Sequence, residues 1–266
     1  MNFSYTQISR YLSCPKSYRY RHIEGWKEKE TRAQMAFGRA FEVALGAFFR
    51  REDSVAALYD AWREQEKELL LFGYRDSWDK MLQQGIALLH LFAQSDRVRI
   101  LNPGTDLQIK YSKPLDDSDG FIAYVDAVGT VDGQRCIIDW KTTTQRYSEE
   151  PAGLLSLDPQ LICYSWMTGI SDAALVVFVR KSHPEIQYLG TRISEEARND
   201  YANLVKQTVA SIKHWDFPAH SGVRFPANTC VGCAYLGLCL KNPLIANKAL
   251  IREPGGDLGW LDELPD

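Results

Sequence analysis

Apolar residues recur at helical spacing through the first hundred positions and at alternate positions after them. In residues 4–22, Tyr5, Ile8, Tyr11 and Leu12 follow helical spacing behind Ser4, a side chain suited to capping a helix. Residues 34–50, QMAFGRAFEVALGAFFR, form a strongly apolar helix pattern. Residues 53–70 and 75–95 read as two amphipathic helices parted by Phe72-Gly73-Tyr74, so that 51–97 looks like a helical insertion. From residue 106 the period shortens to two. Residues 106–113 and 121–131 alternate as strands, Val131-Asp132-Gly133-Gln134 is a hairpin turn signal, and 135–140 continues as the next strand. Asp158-Pro159 opens a helix to about Met167; strands at 174–180 and 186–193 and a helix at 194–215 follow. The tail from 216 is rich in Pro, Gly and Cys and has little periodicity. This order predicts an α/β or α+β core with a mixed sheet, a helical insertion and an irregular Cys-rich C-terminal cap, in a single domain over 1–266.

Composition narrows this reading only a little. With 266 residues, 45% hydrophobic and 24% charged, the chain is long enough for a sizeable core. A net charge of −3 argues against a non-specific nucleic-acid coat protein. It leaves room for an enzyme whose local basic groove is offset by an acidic site. The N-terminus has no apolar signal region, and no run of about 18 apolar residues exists, so a cytoplasmic protein without membrane spans is expected. Six cysteines in a reducing compartment do not suggest disulfides.

Asp126 lies inside the apolar strand FIAYVDAVGTV, and Asp139 ends the apolar run Cys136-Ile137-Ile138. A tight hairpin sets its strands about 5 Å apart, so the two carboxylates can approach each other. Strand alternation puts Asp139 and Lys141 on one face. Two close carboxylates repel, and Mg²⁺ or Mn²⁺, which prefers oxygen ligands, relieves that repulsion. Such a metal can polarise a phosphate and activate water. The Lys141 ammonium can hold the water or stabilise developing charge. A lone strand aspartate is more simply a solvent-facing residue; the combination of Asp, hairpin and Asp-x-Lys is what argues for phosphodiester hydrolysis.

The stretch Val125-Asp126 … Ile138-Asp139-Trp140-Lys141-Thr142 resembles the PD-(D/E)xK nuclease superfamily, most closely its RecB-type branch. That branch adds Gln-x-x-x-Tyr on the next helix, here Gln160 to Tyr164, side chains that share a helix face. The resemblance implies a restriction-endonuclease-like core, with Gln160 and Tyr164 lining the site beside DNA. It also implies metal bound by Asp126, Asp139 and the Trp140 backbone carbonyl. The branch places a further ligand in Gly-x-x-x-His; here the run is Gly38-Arg39-Ala40-Phe41-Glu42, so Glu42 stands in for the histidine. An all-carboxylate set leans toward Mg²⁺ as well as Mn²⁺. A salt bridge to an arginine is the plainer alternative for Glu42.

Cys230-Val-Gly-Cys233 and Cys239 need a fourth thiolate to complete a tetrahedral or cluster site, and Cys14 is the best candidate; Cys136 and Cys163 read as core residues. Zinc and an iron–sulfur cluster both take four thiolates, and spacing alone does not separate them. The arrangement, with Ser9 to Tyr18 fitting Ser-x-x-x-x-Cys-Pro-x-x-Tyr, resembles the iron–sulfur nucleases of the CRISPR-adaptation, AddB and exonuclease V types. That resemblance implies a [4Fe–4S] cluster, with zinc as the alternative occupant, stapling the 216–266 segment to the N-terminus.

Arg19, Arg39 and Arg146 are candidate phosphate contacts, although a solvated face explains the basic residues near Arg19 equally well. The expected activity is metal-dependent exonucleolytic cleavage of single-stranded DNA or DNA ends, in repair, recombination or phage and CRISPR DNA processing. One rival is a CRISPR adaptation nuclease trimming spacer precursors with an integrase. The other is a non-catalytic DNA-binding scaffold that keeps the fold. No G-x-x-x-x-G-K-[ST] motif is present, so any unwinding falls to a helicase partner; a recombinase or integrase is the other partner class.

Overall fold

The computed structural model describes residues 1–219 and 229–252. The chain forms two compact units, one of Met1–Glu30 with Leu204–Asp266 and one of Thr31–Asn203.

The smaller unit opens with β1 (Asn2–Ser4) and α1 (Tyr5–Ser13), where Ser4 accepts the N–H of Gln7 as its cap. One continuous helix was expected over 4–22. It breaks at Cys14, whose backbone is extended, because Cys14 precedes Pro15 and a residue before proline is pushed out of the helical region. Pro15 then starts α2 (Pro15–Tyr18), followed by a π-helical turn at Arg19–Ile23 and β2 (Trp26–Glu28).

The larger unit starts at β3 (Thr31–Arg32) and α3 (Ala33–Phe49). The helix expected at 53–70 is shorter. It runs as α4 (Ser54–Glu64), capped by Asp53, and gives way to a single 3₁₀ turn and β4 (Leu70–Leu71), which pairs with β3. Next come α5 (Trp78–Ala93), β5 (Val98–Arg99), β6 (Leu107–Pro114), β7 (Gly120–Val131), β8 (Gln134–Thr143), α6 (Pro159–Thr168), β9 (Asp172–Val179) and β10 (Glu185–Arg192). After them α7 (Glu195–Lys213), α8 (Leu236–Cys239), α9 (Pro243–Ala249) and β11 (Leu250–Arg252) complete the described chain. Of the 216–266 segment expected as a cap, 220–228 and 253–266 lie outside the described residues.

In the larger unit β7, β8, β9 and β10 are neighbours in that order, and β5 and β6 pair with the other edge of β7. All of these pairs are antiparallel except β8 with β9, which is parallel and joined through α6. A parallel pair needs such a crossover, whereas the β7–β8 hairpin closes on Asp132 (φ 50°) and Gly133 (φ 81°) as the Asp-Gly signal predicts. The core packs α3, α4 and α5 on one face of this sheet. Phe37, Phe41, Leu45, Trp62 and Phe92 meet Ala127, Ile138, Trp140, Val176 and Phe178. The helices of the 51–97 region thus share one core with α3 and the strands. Among the described residues no helix is long and apolar enough to cross a membrane.

Candidate active site

The β7–β8 ladder ends at Ala127 opposite Ile138, while β8 runs on beside β9 with Asp139 paired to Leu175 and Lys141 to Val177. Past that end the Trp140 N–H has no backbone partner on β7. It donates instead to Asp126 Oδ2 at 2.9 Å. Trp140 points into the core against Phe49 and Phe92, so alternation turns Asp139 and Lys141 to the opposite face. On the other edge of β7, Gln108 stands opposite Asp126, but the ladder skips this pair, and Gln108 takes a left-handed φ of 49°. Its Nε2 donates to Glu42 Oε1 at 3.2 Å.

These contacts gather Glu42, Asp126 and Asp139. Asp126 is held well above the ordinary carboxylate range, by burial first and then by the charges of Asp139 and Glu42. Asp139 is pushed up to about 6: burial raises it, Lys141 opposes, and Asp158 and Glu42 add to the rise. Asp139 is 0% exposed, and its Oδ1 has no hydrogen-bond partner among the described residues. Burial alone would lower Lys141; the carboxylates of Asp139 and Asp126 outweigh it and leave the ammonium raised. By donor type, buried and mutually repelling oxygens with unused lone pairs suit a hard divalent cation, although among the described residues Glu42, Asp126 and Asp139 do not have the spacing of a metal site.

Lys141 Nζ lies 2.7 Å from Asp139 Oδ2 and donates to Gln160 Oε1 at 2.8 Å. Gln160 Nε2 in turn donates to the Tyr164 hydroxyl at 2.8 Å. The start of α6 fixes this relay: Asp158 accepts the N–H groups of Gln160 and Leu161, and Pro159 occupies the first turn. Beside the carboxylates a cleft of about 300 Å³ is lined by Glu42, Arg50, Leu107, Gln108, Asp126 and Trp140.

The basic residues expected to meet phosphate are each paired with acids. Arg39 bonds Gln65 at 3.0 Å and pairs with Glu68 at 3.6 Å; Arg146 pairs with Glu149 and Glu185; Arg19, in the smaller unit, pairs with Glu24 at 2.8 Å. Two cleft residues escaped the sequence reading. Arg50 had a usable signal, since Glu42, Gly46 and Arg50 form an i, i+4, i+8 stripe. Gln108 had none, because its left-handed backbone is invisible in an alternating strand.

In the smaller unit the Cys233 thiol is raised by burial and also by the charges of Cys239, Cys14 and Cys230. The four expected cysteines therefore lie in one neighbourhood. Their thiols do not converge: Tyr20 shares a hydrogen bond with Cys239, and among the described residues no three His, Cys, Asp or Glu side chains have the spacing of a metal site. As a donor set four neighbouring thiols still fit a thiophilic metal or cluster. Cys136 and Cys163 are buried, as expected of core residues.

Residues 2–240 match the family described as the PD-(D/E)XK nuclease superfamily. This chain belongs to that superfamily. Comparison with the curated proteins finds no match. Among solved structures, a candidate exonuclease from Eubacterium rectale superposes with a TM-score of 0.50 at 8% identity, covering 84% of this chain and 85% of that one. At that identity the likeness speaks to fold alone. The protein SSO0001 superposes at 0.37 with 12% identity over 89% and 93% of the two chains, too loosely to carry an argument. The PD-(D/E)XK core thus takes its restriction-endonuclease-like form here: a mixed sheet flanked by helices, with Asp126 on β7 and Asp139-Trp140-Lys141 on β8.

Proposed function

We propose that this PD-(D/E)XK protein is a divalent-metal-dependent deoxyribonuclease, an exonuclease acting in the cytoplasm on single-stranded DNA or DNA ends. The observation that carries the reading is the buried Asp126–Asp139 pair set against an ammonium that is itself fixed by Gln160 and Tyr164. Glu42, Asp126, Asp139 and the Trp140 carbonyl would hold Mg²⁺ or Mn²⁺. When bound, the metal supplies Lewis-acid polarisation of the phosphate and lowers the pKa of water. The chain's own groups do the positioning. The Trp140 N–H orients Asp126, and Gln108 orients Glu42. Lys141 holds the attacking water and stabilises charge on the phosphate oxygens, while Gln160 keeps the ammonium in place. A scaffold that had lost catalysis would have no need of this relay. Arg50, in the cleft wall and paired with Glu52 at 3.1 Å, is a candidate phosphate contact.

The four-cysteine neighbourhood supports a [4Fe–4S] cluster on Cys14, Cys230, Cys233 and Cys239, with zinc as the alternative occupant. It would tie the N-terminal helices to the tail within the smaller unit. Iron, sulfide and zinc contents of the purified protein decide between the two.

The activity is tested on single strands labelled at one end or the other, and on circular single strands, each with Mg²⁺ or Mn²⁺. Stepwise loss from one terminus with circles left intact is expected. Cutting of circles contradicts an exonuclease, and inertness on every substrate contradicts a nuclease.

A further inference from the structure

Tyr147 sits just past the Asp-x-Lys strand, in the segment between β8 and α6, and its backbone is fastened unusually firmly for an exposed position. Gln187, 4% exposed, accepts the Tyr147 N–H at 2.8 Å and donates to the Tyr147 carbonyl at 3.1 Å. A buried amide thus gives this residue both bonds that a strand partner would give. The place of the fastening is informative. Gln187 on β10 pairs with Val177 on β9, which pairs with Lys141 on β8, so the three form one row across the sheet with side chains on one face. Tyr147 is therefore held over the face that bears Lys141. The Tyr147 residue itself stays 37% exposed.

Behind Tyr147 opens a groove of about 760 Å³, walled by Leu154, Leu157, Asp158, Leu175 and Leu189. Leu154 and Leu157 are 53% and 68% exposed. The groove reaches the site through Leu175, which pairs with Asp139, and through Asp158, which accepts the N–H of Gln160, the residue bonded to Lys141. Its electrostatics disfavour a phosphate backbone. Arg146, its one lining cation among the described residues, is taken up by Glu149 and Glu185, and Asp158 adds a further negative charge. What suits an apolar, aromatic, weakly acidic channel next to a phosphodiester-cutting site is the uncharged face of the substrate, its bases.

Resting on the nuclease reading above, we infer that Tyr147 is a substrate-binding residue whose ring stacks on an unpaired nucleobase beside the scissile phosphate. The adjoining groove takes the bases that follow. Bases in a duplex are already stacked and must be unpaired to enter, at a cost that a single strand does not meet. The groove accordingly selects unpaired strands.

The test uses the full chain in EDTA, where nothing is cut, and an oligonucleotide carrying 2-aminopurine, whose fluorescence falls or rises as its stacking changes. The wild type is expected to change the probe's emission in a single strand and leave a duplex probe unaltered. Tyr147→Ala is expected to abolish the change and weaken binding about tenfold, while Tyr147→Phe, which keeps the ring, retains both. Wild-type behaviour in Tyr147→Ala, loss in Tyr147→Phe equal to that in Tyr147→Ala, or no wild-type response at all overturns the inference. Thermal melts confirm that each variant is folded. The nuclease reading fails separately: a protein that passes the binding test but cuts nothing with Mg²⁺ or Mn²⁺ keeps the groove and loses the reaction.

Discussion

Asp139 has none of its surface open to water, yet the metal-binding role proposed for it requires it charged. With Asp139 pushed up to about 6 and Asp126 also raised, the metal-free site holds protons that an ordinary carboxylate would have released. A cation has to displace those protons. The sign follows: below about pH 6 protons compete and binding is weak, and as pH rises through about 6 the apparent Mn²⁺ affinity increases. Calorimetric titrations at stepped pH check this, and an affinity flat between pH 5 and 7 contradicts it. Gln108 acts on the same site through Glu42. Gln108→Ala removes the 3.2 Å bond and is expected to weaken Mn²⁺ binding about tenfold, read in the same titrations. Asp126, Asp139 and Lys141 were legible in the sequence because their chemistry is carried by residue type and strand parity. Gln108 was not, since neither its φ nor its place opposite Asp126 leaves a mark on local composition.

At the scale of elements, the site exists because two strands part. Ala127 and Ile138 close the β7–β8 ladder, and the side chain of Asp126 replaces the missing backbone acceptor for Trp140. The hairpin before that parting is held tightly. Gly129 on β7 passes so close to β5 that a Cβ there would lie 2.5 Å from the Arg99 carbonyl oxygen. A backbone atom cannot swing aside as a side-chain tip can. Gly129→Ala is therefore expected to destabilise the protein by roughly 1–3 kcal/mol, measured by urea unfolding, without removing any group of the active site. The hairpin, the Asp158 cap and the α3 stripe were all readable from turn residues and periodicity. The parting was not, because apolar alternation continues through Ile138-Asp139-Trp140 as though the ladder went on. The early end of α4 was also hidden. Its amphipathic pattern persists past Glu64, and pairing of β4 with β3, rather than local propensity, decides where the helix stops.

At the scale of the molecule the chain makes two compact units, and the chemistry proposed for them differs. The larger unit holds the carboxylates; the smaller holds the four cysteines and a histidine with a property of its own. His22 is lowered to about 4, by burial first and then by the charges of Arg10 and Arg21. Its folded pKa lies below the unfolded value of about 6.5, so the unfolded chain takes up the proton first. This group's contribution is fully present above about pH 6.5 and is lost as pH falls toward 4. His22→Gln is expected to flatten the loss of stability across that window, seen in melts at stepped pH; an unchanged slope contradicts it. Sequence order alone did not separate the two units. The smaller one joins Met1–Glu30 to a tail more than a hundred and fifty residues away, and only the cysteine spacing hinted that these ends meet.

Asp139 and Lys141 are the two groups proposed to make this PD-(D/E)XK fold a working nuclease. Cleavage of labelled single-stranded DNA with Mg²⁺ or Mn²⁺ by the wild type, Asp139→Asn and Lys141→Ala tests that role most directly. The wild type is expected to cut, with both variants folded and slowed by at least about a hundredfold. Equal cutting by all three, or by none, contradicts the account.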